Sequence, residues 1–232
     1  VLYTASSQPA RPVRSDEPTD LPAFDKYLIT FDHIPSPNFA ITNCIIRDDR
    51  GFLWFGTTKG LCKYDGYQVR VFPNGTPLDE PRQVVTAMIK MDGESLLLAT
   101  GRGLWTFNLK TEQFTPFLIG SEFSESWINA IVEDTSGTIW IGTVSHGLFG
   151  YNRISKTVQQ YTTSRGLSDD RITMLLLDHS GTLWIGTHAG GINVLDRATS
   201  RFSSYRAEAS SRTALLSNHV TTLSESVDHE LW

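Results

Sequence analysis

The chain has 232 residues, 40% of them hydrophobic, with 18 glycines, two cysteines and a formal net charge of −5. That length suits one large β domain. The acidic balance gives no electrostatic support for nucleic-acid binding, no apolar run approaches the length of a membrane span, and two cysteines are too few for a disulfide scaffold.

Residues 1–22 carry Ser, Pro, Arg, Asp and Thr with little periodicity and are expected to form a disordered tail or linker. The first residue is Val rather than Met, which is read as a removed leader or a fragment. A β domain is expected over residues 23–232. Its first strand is Tyr27–Phe31. Phe31 lies 23 residues before Trp54, as Phe117 does before Trp140 and Tyr161 before Trp184. Those later aromatics end outermost strands, so 27–31 is expected to be an outer strand that arrives before any inner one and closes a ring onto its last blade.

From there a unit recurs. Asp48-Asp49-Arg50-Gly51-Phe52-Leu53-Trp54-Phe55-Gly56-Thr57 is followed by Gly60-Leu61; Asp134 to Thr143 is followed by Gly147-Leu148; Asp178 to Thr187 is followed by Gly191-Ile192. A worn copy, Leu97-Leu98-Ala99-Thr100 with Gly103-Leu104, carries Leu97 where the others have Trp. A fifth copy begins at Val220, has His229 in place of the turn glycine, and reaches Trp232. The key positions 54, 97, 140, 184 and 232 are spaced by 43, 43, 44 and 48 residues. Short strands repeating at a period in the low forties point to a β-propeller blade.

Within a unit, Asp and Gly predict a tight turn, the carboxylate holding nearby backbone amides and the glycine taking positive φ. The β-branched and aromatic run that follows predicts a strand. Trp and the next Gly share one face of it, so a large ring beside a missing side chain predicts a second sheet packed closely there. The expected architecture is all-β: a propeller of four-stranded antiparallel blades, about four complete and part of a fifth. In the third blade the strands are expected near 128–134, 138–143, 147–151 and 157–161. Cys44 and Cys62 fall on the first and third strands of one blade, roughly 9–10 Å apart at two strand spacings, beyond disulfide reach, so both are expected to be free thiols.

Antiparallel order puts the turns between strands two and three on one face, together with the blade-to-blade connections, roughly 73–83, 118–127, 162–170 and 206–218. Lys59, Arg102 and His146 each precede the Gly of Gly-Leu in such a turn, and His188 lies in the same turn of the fourth blade. Arg82, Trp127 and Arg165 come from connections on that face. These seven residues form the candidate ligand-binding rim, a partly cationic surface with an aromatic that suits an anionic oligosaccharide. Asp79, Glu80, Glu122, Asp169 and Asp170 lie nearby and offset the charge. The repeated Trp and Asp are read as packing and turn residues. His146 and His188 have no evident third ligand, and neither a metal nor a cofactor is expected; no catalytic constellation stands out.

The units resemble the two-component-regulator propeller family over about residues 24–232, carried by 48–67, 134–148 and 178–192, with Gly166-Leu167-Ser168 and Ile172 leading into the next inner strand. The resemblance implies a seven-bladed ring, the periplasmic sensor portion of an inner-membrane, often hybrid, histidine kinase. Its implied partners are a small extracellular ligand, the remaining blades and output domains of the same protein, and a second copy bound through parts outside this chain. The alternatives are a secreted propeller lyase or glycosidase, and an interaction scaffold with a different output.

Overall fold

The computed structural model describes residues 2–6, 28–32, 41–72, 84–117, 126–208 and 214–232, and the statements below concern these. Four four-stranded antiparallel sheets follow one another along the chain. The first consists of β3 (Thr42–Arg47), β4 (Leu53–Thr57), β5 (Gly60–Tyr64) and β6 (Val69–Phe72). The second is β7 (Val85–Met91), β8 (Ser95–Thr100), β9 (Gly103–Asn108) and β10 (Phe114–Pro116). The third is β11 (Ile128–Glu133), β12 (Thr138–Thr143), β13 (Leu148–Asn152) and β14 (Val158–Tyr161). The fourth is β15 (Ile172–Leu177), β16 (Leu183–Thr187), β17 (Ile192–Asp196) and β18 (Arg201–Tyr205). Each sheet keeps its strands in chain order, and the inner strands of successive sheets lie against each other. The architecture is that of consecutive propeller blades.

The strand expected near 27–31 is β2 (Leu28–Asp32), which pairs antiparallel with β1 (Leu2–Ser6). Residues 2–6 lie in the stretch read as a tail. A five-residue strand paired with a segment far along the chain leaves no local periodicity to find.

Packing between blades uses the Trp and Gly positions. Trp54 packs with Leu61 and Phe72 of its own blade against Val85, Met88, Leu98 and Phe107 of the next. Trp140 packs in the same way against Ile172, Leu175, Leu183 and Ile185. The glycine two residues on is required by close approach. A Cβ at Gly142 would lie 2.5 Å from Ile172 Cγ2, and one at Gly56 would lie 2.7 Å from Val85 Cγ1, where nothing fits without displacing the next inner strand. In the second blade Leu97 and Ala99, both fully buried, take these roles in the core shared with Ile128, Ile131 and Phe149.

Asp48, Asp134 and Asp178 do more than close a turn. One carboxylate oxygen of Asp134 accepts the amides of Ser136 and Thr138 at 2.9 and 3.0 Å, and the other accepts Trp140 Nε1 at 2.9 Å. The Asp48–Trp54 and Asp178–Trp184 indole bonds are 3.0 and 2.9 Å. The indole N–H would otherwise be buried without an acceptor. The second blade replaces the pair together, with Met91 at the Asp position and Leu97 at the Trp position, both in the apolar core. Loss of both partners leaves neither unsatisfied.

A second repeated device escaped the sequence reading. Every innermost strand has a register shift after its first residue, between Thr42 and Cys44, Val85 and Ala87, Ile128 and Ala130, and Ile172 and Met174. The skipped residues are Asn43, Thr86, Asn129 and Thr173. A bulge re-aims its side chain, and each of these reaches across the seam to the first carbonyl of the next inner strand. Asn43 Nδ2 donates to Val85 O at 2.9 Å and Asn129 Nδ2 to Ile172 O at 2.8 Å; the hydroxyls of Thr86 and Thr173 donate to Ile128 O and Val220 O at 2.5 and 2.6 Å.

The last of these bonds marks the arrival of a fifth blade. Val220 is buried, and its amide donates to Thr187 O at 3.0 Å. Ser226 stands where other blades have Asp, its hydroxyl accepting the amides of Asp228 and Glu230. His229 has φ 64°, in the left-handed region that Gly51, Gly137 and Gly181 occupy in their turns. No four-stranded sheet forms here among the described residues. Trp184 is accordingly only partly buried, Tyr205 is 53% exposed, and both line a cleft of about 580 Å³ with Leu215, Leu223, Leu231 and Trp232.

Cys44 lies on β3 and Cys62 on β5, and both are free. Burial pushes the Cys44 thiol up to about 12, against a hydrogen bond with the Gly56 backbone. No helix among the described residues is long and apolar enough to cross a membrane.

Candidate ligand-binding rim

The turn between strands two and three is built by the threonine that ends strand two. Thr57, Thr100, Thr143 and Thr187 are all buried. Their hydroxyls donate to Gly60, Gly103, Gly147 and Gly191 O at 2.8–2.9 Å. The same hydroxyls accept the amides of Lys59, Arg102, His146 and Gly190 at 2.9–3.0 Å. The glycine that follows takes φ of 76–110°. At Gly147 a Cβ would also collide with the Tyr161 carbonyl. Thr and Gly therefore fix the backbone; the residue before the glycine is Lys59, Arg102 or His146 in the first three blades and Gly190 in the fourth, where a Cβ would collide with Ser168 Oγ.

Backbone hydrogen bonds stitch these turns to the entry of the next blade. Gly103 N donates to Ser126 O, Gly147 N to Asp170 O and Gly191 N to Asn218 O, at 2.9–3.0 Å. Val144 N donates to Trp127 O and His188 N to Arg171 O, both at 3.0 Å. The result is one continuous strip along a single face, running from 102–103 through 126–127, 144–147, 170–171 and 188–191 to 218–219.

Arg102, Trp127, His146 and His188 all lie on this strip. Trp127 is 40% exposed, although its neighbours Ser126 and Ile128 are buried. His146 is exposed, and its Nδ1 lies 3.0 Å from Ser145 Oγ and 3.4 Å from Ser126 Oγ. Arg165, in the single-turn 3-10 segment Thr163–Arg165, donates from Nη1 to Gln160 O at 3.0 Å, and Gln160 Nε2 donates to His146 O at 2.9 Å. Arg165 is thus tied to the outer side of the same surface. Lys59 is exposed on the equivalent turn of the first blade, where Thr58 N donates to Ile41 O. Arg82, with the connection 73–83, lies outside the described residues, as do Asp79, Glu80 and Glu122.

The carboxylates near the rim are committed to backbone. Asp169 accepts the amides of Arg171 and Ala189 at 3.1 and 2.8 Å and the Arg171 guanidinium at 3.4 Å. Burial raises its pKa, but these bonds outweigh burial and hold the carboxyl below its ordinary range. Asp170 accepts the amide and hydroxyl of Thr163 at 2.7 and 3.1 Å. The negative charge is fixed at turn positions, while Lys59, Trp127, His146, Arg165 and His188 are exposed and Arg102 is partly buried.

Two rim residues were missed. His219 packs against His188 with ring centroids 4.6 Å apart and the planes tilted by 32°, and Arg171 is exposed beside Asp169. Both sit at the entry position held by Trp127: 127, 171 and 219 each lie 13 residues before the key Trp of their unit. Register alone would have found them.

The fold and the repeated rim define a class, the β-propeller. Three stretches, 36–59, 122–145 and 166–189, match the two component regulator propeller family, and the chain carries the repeats of that family. No curated relative matches the chain. Similar solved structures include two domains of B. thetaiotaomicron described as the extracellular parts of hybrid two component systems. One has TM-score 0.73 and 22% identity over 87% of this chain and 26% of its own. The other has TM-score 0.65 and 21% identity over 90% and 28%. Virginiamycin B lyase from Staphylococcus aureus also aligns, with TM-score 0.59 and 13% identity over 81% of this chain and 61% of its own. At such identities the likeness is one of fold. The chain spans about a quarter of the length of the two B. thetaiotaomicron domains.

Proposed function

We propose that this chain is part of the extracytoplasmic sensor propeller of a two-component, histidine-kinase-type receptor, and that the rim binds an anionic oligosaccharide whose capture is relayed to output domains of the same protein. The family of its repeats supports the class of receptor. The observation that carries the binding reading is the hydrogen-bonded strip, which repeats a rigid Thr–Gly turn and sets a different basic residue in each: Lys59, Arg102 and His146 directly before the glycine, and His188 three residues before Gly191. A rigid scaffold with variable outward positions is a common way to build a binding surface. Arginine and protonated histidine would pair with carboxylate or sulfate groups, and Trp127 offers a ring for stacking on a sugar face.

Calorimetric titration with an oligogalacturonide and a sulfated glycosaminoglycan oligosaccharide, against a neutral maltooligosaccharide, tests this. Arg102→Ala and His146→Ala should each weaken binding of the acidic ligand about tenfold, the worth of one charged hydrogen bond, with unchanged melting. Equal affinity in both variants, or no preference for the acidic sugars, would remove the rim as the site.

A further inference from the structure

On the face opposite the rim, each pair of neighbouring blades meets through the turns between strands one and two. At the first, second and fourth seams the residue five before the key position of one blade and the residue seven before the key position of the next are brought together. At the first seam these are Asp49 and Lys90, ion-paired at 2.7 Å. At the second they are Asp92 and Glu133, two carboxylates held together by Arg153 at 2.8 Å to each. At the fourth they are His179 and Glu225, and a third group joins them, His229.

This third group occupies an unusual place. His229 takes the turn position where three other blades have glycine, at φ 64°. A side chain there carries a conformational cost of roughly 1 kcal/mol. Its Nδ1 lies 3.1 Å from Glu225 Oε1, and His179 Nδ1 bonds the same oxygen. The imidazoles stack with centroids 3.6 Å apart. One ligand atom from each of the three residues lies within 4.8 Å of the others. Two imidazole nitrogens and one carboxylate oxygen form the ligand set of many zinc centres, with bonds of about 2.0–2.2 Å, and water completes such a site where the side chains are open. Both imidazoles are about half exposed and leave that room.

We propose that His179, Glu225 and His229 form a binding site for a divalent transition metal of the zinc class, which clamps the fifth blade to the fourth. It fills at this seam the place that Lys90 fills at the first and Arg153 at the second. Two stacked imidazoles converging on one carboxylate place three metal-binding atoms where a single counter-charge would satisfy an ordinary ion pair.

The test uses the full chain without a polyhistidine tag. Calorimetric titration with zinc chloride near pH 7.5 should give one equivalent bound, and cobalt(II) should develop the visible absorption of a low-coordinate N/O site. His229→Gly is the informative variant, because glycine is native to this turn in other blades and does not threaten the fold. It and His179→Ala should each lower zinc affinity at least tenfold and abolish the cobalt spectrum. Absence of saturable zinc binding would overturn the proposal. So would undiminished binding in both variants, which would place the metal elsewhere, for example at His188 and His219. A seam whose stability follows pH but not zinc would be an imidazolium–carboxylate pair only, and would equally overturn it.

Discussion

The same residue type has different energetic weight in different blades, because its neighbour differs. Trp140 is 4% exposed, donates its indole N–H to Asp134, and is covered by the inner strands of the fourth blade. Trp184 has the same partner geometry with Asp178, and its ring lies 6.1 Å from Tyr205, but the sheet that should cover it is incomplete. Truncating a buried aromatic costs about 3–5 kcal/mol. Trp140→Ala is therefore expected to lower the unfolding free energy by that amount, and Trp184→Ala by roughly half or less, since less apolar area is buried. Urea unfolding of both variants measures the difference; equal losses would mean that the covering blade is not what gives these rings their worth. That they are packing residues was legible from their recurrence in register.

At the scale of the element, the inner strand with its bulge is the unit that joins one blade to the next. Asn129 is a clear case, its side-chain amide donating to Ile172 O across the seam. Asn129→Ala strands a part-buried carbonyl and should cost about 1–2 kcal/mol. Denaturant midpoints read this directly, and a midpoint equal to wild type would show that water replaces the amide at no cost. The bulges were not legible beforehand. Asn43, Thr86, Asn129, Thr173 and Thr221 each stand 11 residues before a key position, a polar position in an otherwise apolar strand. A single polar residue in a strand is read by default as its solvent face. Only the skipped register shows that it points across the seam.

Across the whole molecule, carboxylates at turns and seams carry pH dependence of one sign. At Asp178 burial pushes the pKa upward, but hydrogen bonds from Ser180, Trp184 and Thr182 outweigh it and hold the carboxyl at about 2. Asp134 is lowered by the same arrangement in the third blade, and Asp92 by the hydrogen bond and charge of Arg153. A carboxyl depressed in the folded state stabilises that state fully above its unfolded pKa, near 3.8, and ceases to do so as pH falls through its folded value. The urea midpoint should therefore be steady above about pH 4–5 and decline toward pH 2. Asp178→Asn should flatten part of that decline. A midpoint unchanged down to pH 2.5 would mean that these carboxylates are as well satisfied in the unfolded chain.

The sequence alone determined the blade. A period of 43 or 44 residues, an Asp-to-Trp unit and a Gly-Leu beyond it suffice to place four strands to within about a residue, because alternation and turn chemistry act over a few neighbouring positions. It also placed Lys59, Arg102, Trp127, His146, Arg165 and His188 on one side, because antiparallel order sorts loops without reference to packing. Tertiary structure decided what happens between blades: which oxygen each Asp gives to its Trp, where a bulge sends Asn129, and how His179 of one turn meets Glu225 and His229 of another. His179 and Glu225 lie 46 residues apart. Their meeting depends on the angle at which one sheet packs on the next, and that angle is set by side-chain volumes on both faces at once.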